Sequence, residues 1–183
     1  VCCGGLFSDR LNDKTSSKQN LKILPFRGEY YNLKKSSEYL VNNLIYPVPD
    51  PAFPFLGVHF TRMIKGGVES GPNAVLAFKR EGYKFFDFDI DDFKDIVSWP
   101  GFWKIAFKYG KTGFYEFYRS LSKKAFTKAL QKLVPSIKES DLIKGGAGVR
   151  AQVCDKQGVL IDDFYIEKND NIINIINAPS PAA

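Results

Sequence analysis

The stretch LKILPFRGEYYNL alternates apolar and polar side chains and predicts a strand over residues 21–33. Ahead of it, VCCGGLFSDRL reads as a strand-like start, a Gly-Gly turn and a helix. EYLVNNLIYPVPDP predicts a second strand, broken by three prolines, and FLGVHFTRMI a third that turns at Gly66-Gly67. In ESGPNAVLAF, Gly71-Pro72-Asn73 forms a loop before an apolar run. The texture then changes. DIDDFKDIVSW carries its acidic residues in the first turn, as helix starts prefer. Phe114, Phe117, Leu121, Ala125, Ala129 and Leu133 recur at helical steps, which predicts one amphipathic helix over residues 113–133, ended by Pro135. VRAQVCDKQGVLIDDFYIEKNDNIINIINA returns to strands, with hairpin turns at Lys156-Gln157-Gly158 and Asn169-Asp170-Asn171. Strands, then helices, then strands imply an α+β fold: a mixed or antiparallel β-sheet with a helical block on one side.

Composition narrows this further. The chain has 183 residues, enough for a sizeable core, and 15% of them are aromatic. The net charge of +6 comes from lysines scattered along the chain, so a solvated basic surface is expected and a nucleic-acid stripe is not. Cys2, Cys3 and Cys154 lack the spacing of a zinc site, and one histidine cannot complete it, so no metal is expected. An odd cysteine count without a framework points to a reducing, cytoplasmic compartment. No stretch is apolar for the roughly 18 residues of a membrane span. The first residue is not Met, and Pro179-Ser180-Pro181 reads as the first turn of a helix, so a chain cut at both ends is expected.

Few residues announce chemistry by themselves. His59, in GVHFTRM, shares a strand face with Gly57 and Thr61; it is either a hydrogen-bonded strand histidine or a general base. Arg27 shares a face with Glu29 and Tyr31, where a plain ion pair would account for it. Gly28 in mid-strand lets a backbone or a ligand approach closely. Arg150 follows the glycines of GGAGVR; flexible backbone beside a guanidinium suits an anion, and a surface arginine after a loop is the alternative. Neither the Walker pattern nor G-x-G-x-x-G is present. These residues alone describe a ligand-covering sheet that binds an anion.

The stretches GGLFSDRL, ILPFRGEYYNL, IYPVPDPAFPFLGVHFTRM, GPNAVLAFKREGY, AGVRAQ and NAPSPAA, in this order, resemble the L-2-hydroxyglutarate dehydrogenase/oxidase family of the FAD-dependent D-amino-acid-oxidase-like superfamily. The resemblance implies a substrate domain of the FAD-linked reductase C-terminal type. It also implies that the Rossmann unit holding the ADP part of FAD is missing, and that NAPSPAA opens a helix pointing at the flavin. Residues 1–20 would then be a remnant of the FAD-binding domain and 21–154 the substrate-binding domain. Residues 155–183 would be return strands and the start of the flavin-facing helix. The implied reaction is oxidation of a dicarboxylate 2-hydroxy acid by hydride transfer to flavin, and it leaves open whether oxygen, a quinone or a carrier protein is the electron acceptor. By the same resemblance His59 is the base and Arg150 binds a substrate carboxylate. Tyr30 and Tyr46 line the pocket, and Gly4, Gly5, Arg27, Gly28, Ser180 and Ala182 border FAD. The family pattern GVHFTPRM has a proline that GVHFTRM lacks, so Arg62 receives no role. An amino-acid oxidase and a non-catalytic anion-binding module are the alternatives. Self-association of the segment and peripheral contact with the inner membrane are further expectations.

Overall fold

The computed structural model describes residues 1–15, 20–48 and 57–178. Eleven elements follow one another: α1 (Ser8–Asp13), β1 (Leu21–Leu33), β2 (His59–Arg62), β3 (Val68–Gly71), β4 (Val75–Leu76), α2 (Ile90–Val97), α3 (Pro100–Leu121), α4 (Lys123–Leu130), β5 (Leu142–Asp155), β6 (Tyr165–Asn169) and β7 (Ile172–Asn177). A five-stranded sheet has the order β2-β3-β1-β4, with β5 also paired to β1, and β6-β7 form a separate antiparallel hairpin. The β1–β3 and β2–β3 pairs are antiparallel. The α+β class expected from the strand–helix–strand order is what the chain adopts.

The chain divides into two compact units, one of residues 1–26, 76–110 and 149–183, the other of residues 27–75 and 111–148. In the first unit, β1 is apolar on both faces. Leu21 and Ile23 join Val153 and Ile176 in one cluster, while Leu24 joins Ile96, Trp99, Ile105 and Cys154 in another. Burial pushes the Cys154 thiol up to about 12, so it acts as a small apolar side chain and not as a nucleophile. In the second unit, Phe126, Leu130, Val134 and Ile137 pack on Leu33, Val41, Val58, Phe60 and Val68. Phe60 and Phe126 are fully buried, worth about 1.5–3 kcal/mol each relative to exposure.

Local signals explain most boundaries. The β2–β3 turn needs two left-handed residues, and Gly66 and Gly67 both have φ of 90°. Asp89 caps α2: its Oδ1 accepts from the backbone N–H groups of Asp91 and Asp92, both at 3.0 Å. Those bonds, that of Asp92 foremost, hold the exposed Asp89 carboxyl below its ordinary value. Pro100 takes the first position of α3, where a missing N–H costs nothing.

Three expectations are corrected. Residues 38–48 do not form a strand: residues 35–40 are a 3₁₀ helix, and Ile45 makes a single antiparallel bridge to Phe60. The helix predicted over 113–133 begins earlier, at Pro100, and is two helices. Ser122 separates them; its Oγ accepts from the Ala125 N–H at 3.2 Å and starts α4 afresh. The glycines before Arg150 are not a flexible loop but part of β5. Gly145 lies so close to β1 that a Cβ there would stand 2.9 Å from the Tyr30 carbonyl oxygen. The remaining part of the prolines' stretch, residues 49–56, lies outside the described residues.

Candidate functional site

In the second unit, the register of the sheet puts three of the singled-out residues on one face. Side chains alternate along each strand, and directly opposite residues share a face. Phe60 and Tyr31 both lie opposite Ser70, and both belong to the core face. Their neighbours His59, Gly71 and Tyr30 therefore face the other way, with His59 directly opposite Gly71. On the far side of β2, Ile45 and Phe60 exchange both backbone hydrogen bonds, at 3.0 and 2.9 Å. The next antiparallel pair outward is Tyr46 and His59. Their rings stack, with centroids 4.3 Å apart and planes 24° from parallel. The row across this face thus reads Tyr46, His59, Gly71, Tyr30. Gly71 offers no side chain, and the Tyr30 ring takes up that room: a Cβ at Gly71 would stand 3.2 Å from it.

His59 is half-buried, and its Nδ1 lies 3.1 Å from the Gly57 carbonyl oxygen. A carbonyl only accepts, so that bond selects the tautomer with hydrogen on Nδ1. The basic lone pair is then on Nε2. This is the orientation a general base needs: one nitrogen fixed to the backbone, the other the proton acceptor.

Arg27 and Gly28 have other surroundings. Arg27 is buried, and its guanidinium lies 3.3 Å from Glu29. The pair belongs to a balanced polar cluster inside the second unit. Asn73 Oδ1 accepts from the Glu29 N–H at 2.7 Å, Ser120 donates to the Glu29 carboxylate, and Arg119 pairs with the Glu116 carboxylate. The Ala74 N–H donates to Glu116 at 3.2 Å. By strand alternation Arg27 and Glu29 point away from the face that carries Tyr30. The room beside Gly28 is filled by protein: a Cβ there would stand 2.4 Å from Pro72 and 3.0 Å from the Asn73 carbonyl oxygen. Arg62, given no role from sequence, donates to the Val41 carbonyl at 2.9 Å.

In the first unit, Gly4 and Gly5 open a 3₁₀ turn that leads into α1. Gly5 has φ of 53°, and nothing lies within 4 Å of where a Cβ would be. Arg150 is on β5 and half-buried; its neighbours Ala151 and Val153 join the Leu21–Ile23 cluster. Among the described residues its guanidinium has neither an ion pair nor a hydrogen bond. Ser180 and Ala182, and the helix start they belong to, lie outside the described residues.

The same unit contains an ion network that the sequence reading missed. Arg80 is buried and grips Asp9 with both terminal nitrogens, at 2.5 and 2.8 Å; one of them also reaches Asp95 at 2.9 Å. Arg10 joins Asp92 and Asp95, and Lys22 joins Asp95. Burial alone would raise the Asp95 carboxyl, but the bonds and charges of Lys22, Arg10 and Arg80 outweigh it and hold it below the ordinary carboxylate value. No local signal reveals this network, because its members are separated by up to 86 positions, from Asp9 to Asp95.

The family model described as FAD dependent oxidoreductase matches residues 1–181. The chain belongs to this family. It is 64% identical over its whole length to an L-2-hydroxyglutarate dehydrogenase of Indibacter alkaliphilus, covering 46% of that protein. It is 48% identical to the mitochondrial L-2-hydroxyglutarate dehydrogenase of Homo sapiens, covering 41%. With the Escherichia coli protein of the same name it shares 46% identity and covers 43%. The chain thus spans less than half the length of these relatives.

This flavoprotein family implies FAD. Of the glycines that the resemblance sets beside it, Gly5 has a left-handed backbone with open space where a Cβ would be. At Gly4 and Gly28 that space is taken, by Leu11 and by Pro72 with Asn73.

Proposed function

We propose that the complete protein oxidises L-2-hydroxyglutarate to 2-oxoglutarate. The observation that carries this is the 64% identity, across the whole chain, to an L-2-hydroxyglutarate dehydrogenase. FAD, when bound, supplies the two-electron acceptor for the hydride that leaves C2. His59 accepts the proton of the C2 hydroxyl at Nε2, and the C2–O bond becomes a carbonyl as that hydride departs. The Nδ1 bond to Gly57 supports this role, since in the neutral ring it puts the lone pair on Nε2. Arg150 holds a substrate carboxylate; the half-buried guanidinium without a protein partner among the described residues supports it, because a buried charge calls for a counter-charge. Gly4 and Gly5 border the flavin.

Anaerobic bleaching of the flavin in the complete protein tests the substrate. Rapid bleaching is expected with L-2-hydroxyglutarate, and none with the D-isomer, L-lactate or amino acids. Bleaching by an amino acid would make the protein an amino-acid oxidase of the same fold. A preparation that takes up no flavin would favour an anion-binding module. In the same assay Arg150→Lys should raise KM about tenfold or more, since an ammonium cannot replace a bidentate fork; an unchanged KM removes Arg150 from the site.

A further inference from the structure

We infer that Tyr46 is a positioning residue for His59, acting through its ring and not through its hydroxyl. The inference rests on the reading of His59 as the base. The imidazole needs two constraints to present Nε2 in one direction. The bond from Nδ1 to the Gly57 carbonyl, at 3.1 Å, fixes one direction in the plane of the ring. The Tyr46 ring, 4.3 Å away and 24° from parallel, covers one face of the imidazole and limits tilting toward that side. The backbone makes this contact reproducible. The two hydrogen bonds between Ile45 and Phe60 place residues 46 and 59 opposite each other, and Phe60 is anchored in the core. Val58, next to His59 on the other side, is buried as well, so the strand carrying the imidazole is held at both neighbours. Tyr46 itself is half exposed, 46% of its surface being accessible, so it contributes little to that core.

This assignment differs from a pocket-lining role, in which the Tyr46 hydroxyl would touch substrate. The two roles separate in a substitution series made in the complete, flavin-loaded protein. Removing the ring in Tyr46→Ala should lower kcat about 10–100-fold, the scale of a small misplacement of a reacting group, with KM within about twofold. Tyr46→Phe, which keeps the ring and loses the hydroxyl, should restore most of the turnover. In a His59→Ala background, Tyr46→Ala should have no further effect, because a residue that acts only through the imidazole has nothing left to position. Melting temperature and flavin content, measured for each variant, separate misfolding from misplacement; Tyr46→Leu stands in if Tyr46→Ala fails to fold. A Tyr46→Phe variant as impaired as Tyr46→Ala, or additive losses in the double variant, overturn the inference in favour of a hydroxyl contact. Full turnover in Tyr46→Ala beside an inactive His59→Ala overturns it while leaving the base in place. Normal turnover in His59→Ala would instead remove the reading on which it rests.

Discussion

Replacing His59 by asparagine in the complete protein should lower kcat by about 10²–10⁴-fold, the usual worth of a general base. Asparagine is the informative choice. Its Nδ2 hydrogen can still reach the Gly57 carbonyl, which now accepts from Nδ1 at 3.1 Å, so the local backbone keeps its partner. Its size also keeps β2 packed, because the buried anchor of that strand is the neighbouring Phe60. What asparagine lacks is a nitrogen that can take a proton. The loss should therefore appear in kcat with KM little changed, and the ascending limb of the kcat/KM–pH profile should disappear. His59→Ala should lose as much turnover and some stability besides. A His59→Asn enzyme with wild-type turnover would show that the histidine only ties β2 to its own backbone.

The second large effect concerns stability. Arg80→Met should destabilise the protein by about 3–5 kcal/mol, the cost of leaving a buried charge without its partner. Asp9 has no exposed side-chain surface, and among the described residues its two oxygens would retain only the backbone N–H groups of Arg10 at 2.8 Å and Ile23 at 2.9 Å. The check is the melting temperature of Arg80→Met against that of the double variant Asp9→Asn with Arg80→Met. Asparagine removes the orphaned charge but still accepts with its carbonyl oxygen, so the double variant should recover part of the loss. An unchanged melting temperature in Arg80→Met would show that water reaches Asp9. The network also carries a pH dependence. The Asp95 carboxyl is held below its ordinary value, so its contribution is complete above the ordinary carboxylate range and is lost as pH falls through the lowered value.

Elements whose signals are local were legible in the sequence. β1 runs over the alternating stretch from Leu21 to Leu33, and α2 follows the acidic start at Asp89. The break at Ser122 was not legible, because Leu121, Ala125 and Ala129 continue the helical period across it. Only the serine oxygen, turned back onto Ala125, shows where one helix stops and the next begins. The first turns of α3 were hidden for the opposite reason. Gly101, Gly110 and Gly113 weaken the helical signal, yet Gly101 is needed there, since a Cβ would collide with the Asp155 carbonyl. In the site, His59, Tyr30 and Tyr46 were each singled out, but that they share a sheet face depends on register. Register is set by pairings such as Ile45 with Phe60, which no single strand announces. The ion pair of Arg27 was legible, because Glu29 two positions on shares its strand face, and the two lie 3.3 Å apart.

The pairing of Cys2 with the last strand has a consequence for the order in which the chain folds. The Cys2 N–H donates to the Ile173 carbonyl at 2.7 Å and its carbonyl accepts from Ile175 at 2.9 Å, while Asn174 bonds Asn12 of α1 at 2.7 Å. Contacts this far apart in sequence form only after the entropy of closing a very long loop has been met. On the ribosome, α1 therefore emerges well before β7 and waits for it. Arg80 can hold it once the residues around α2 are out, but its last neighbours arrive only with β7. Within the first unit, an element made early is completed only by a strand made late.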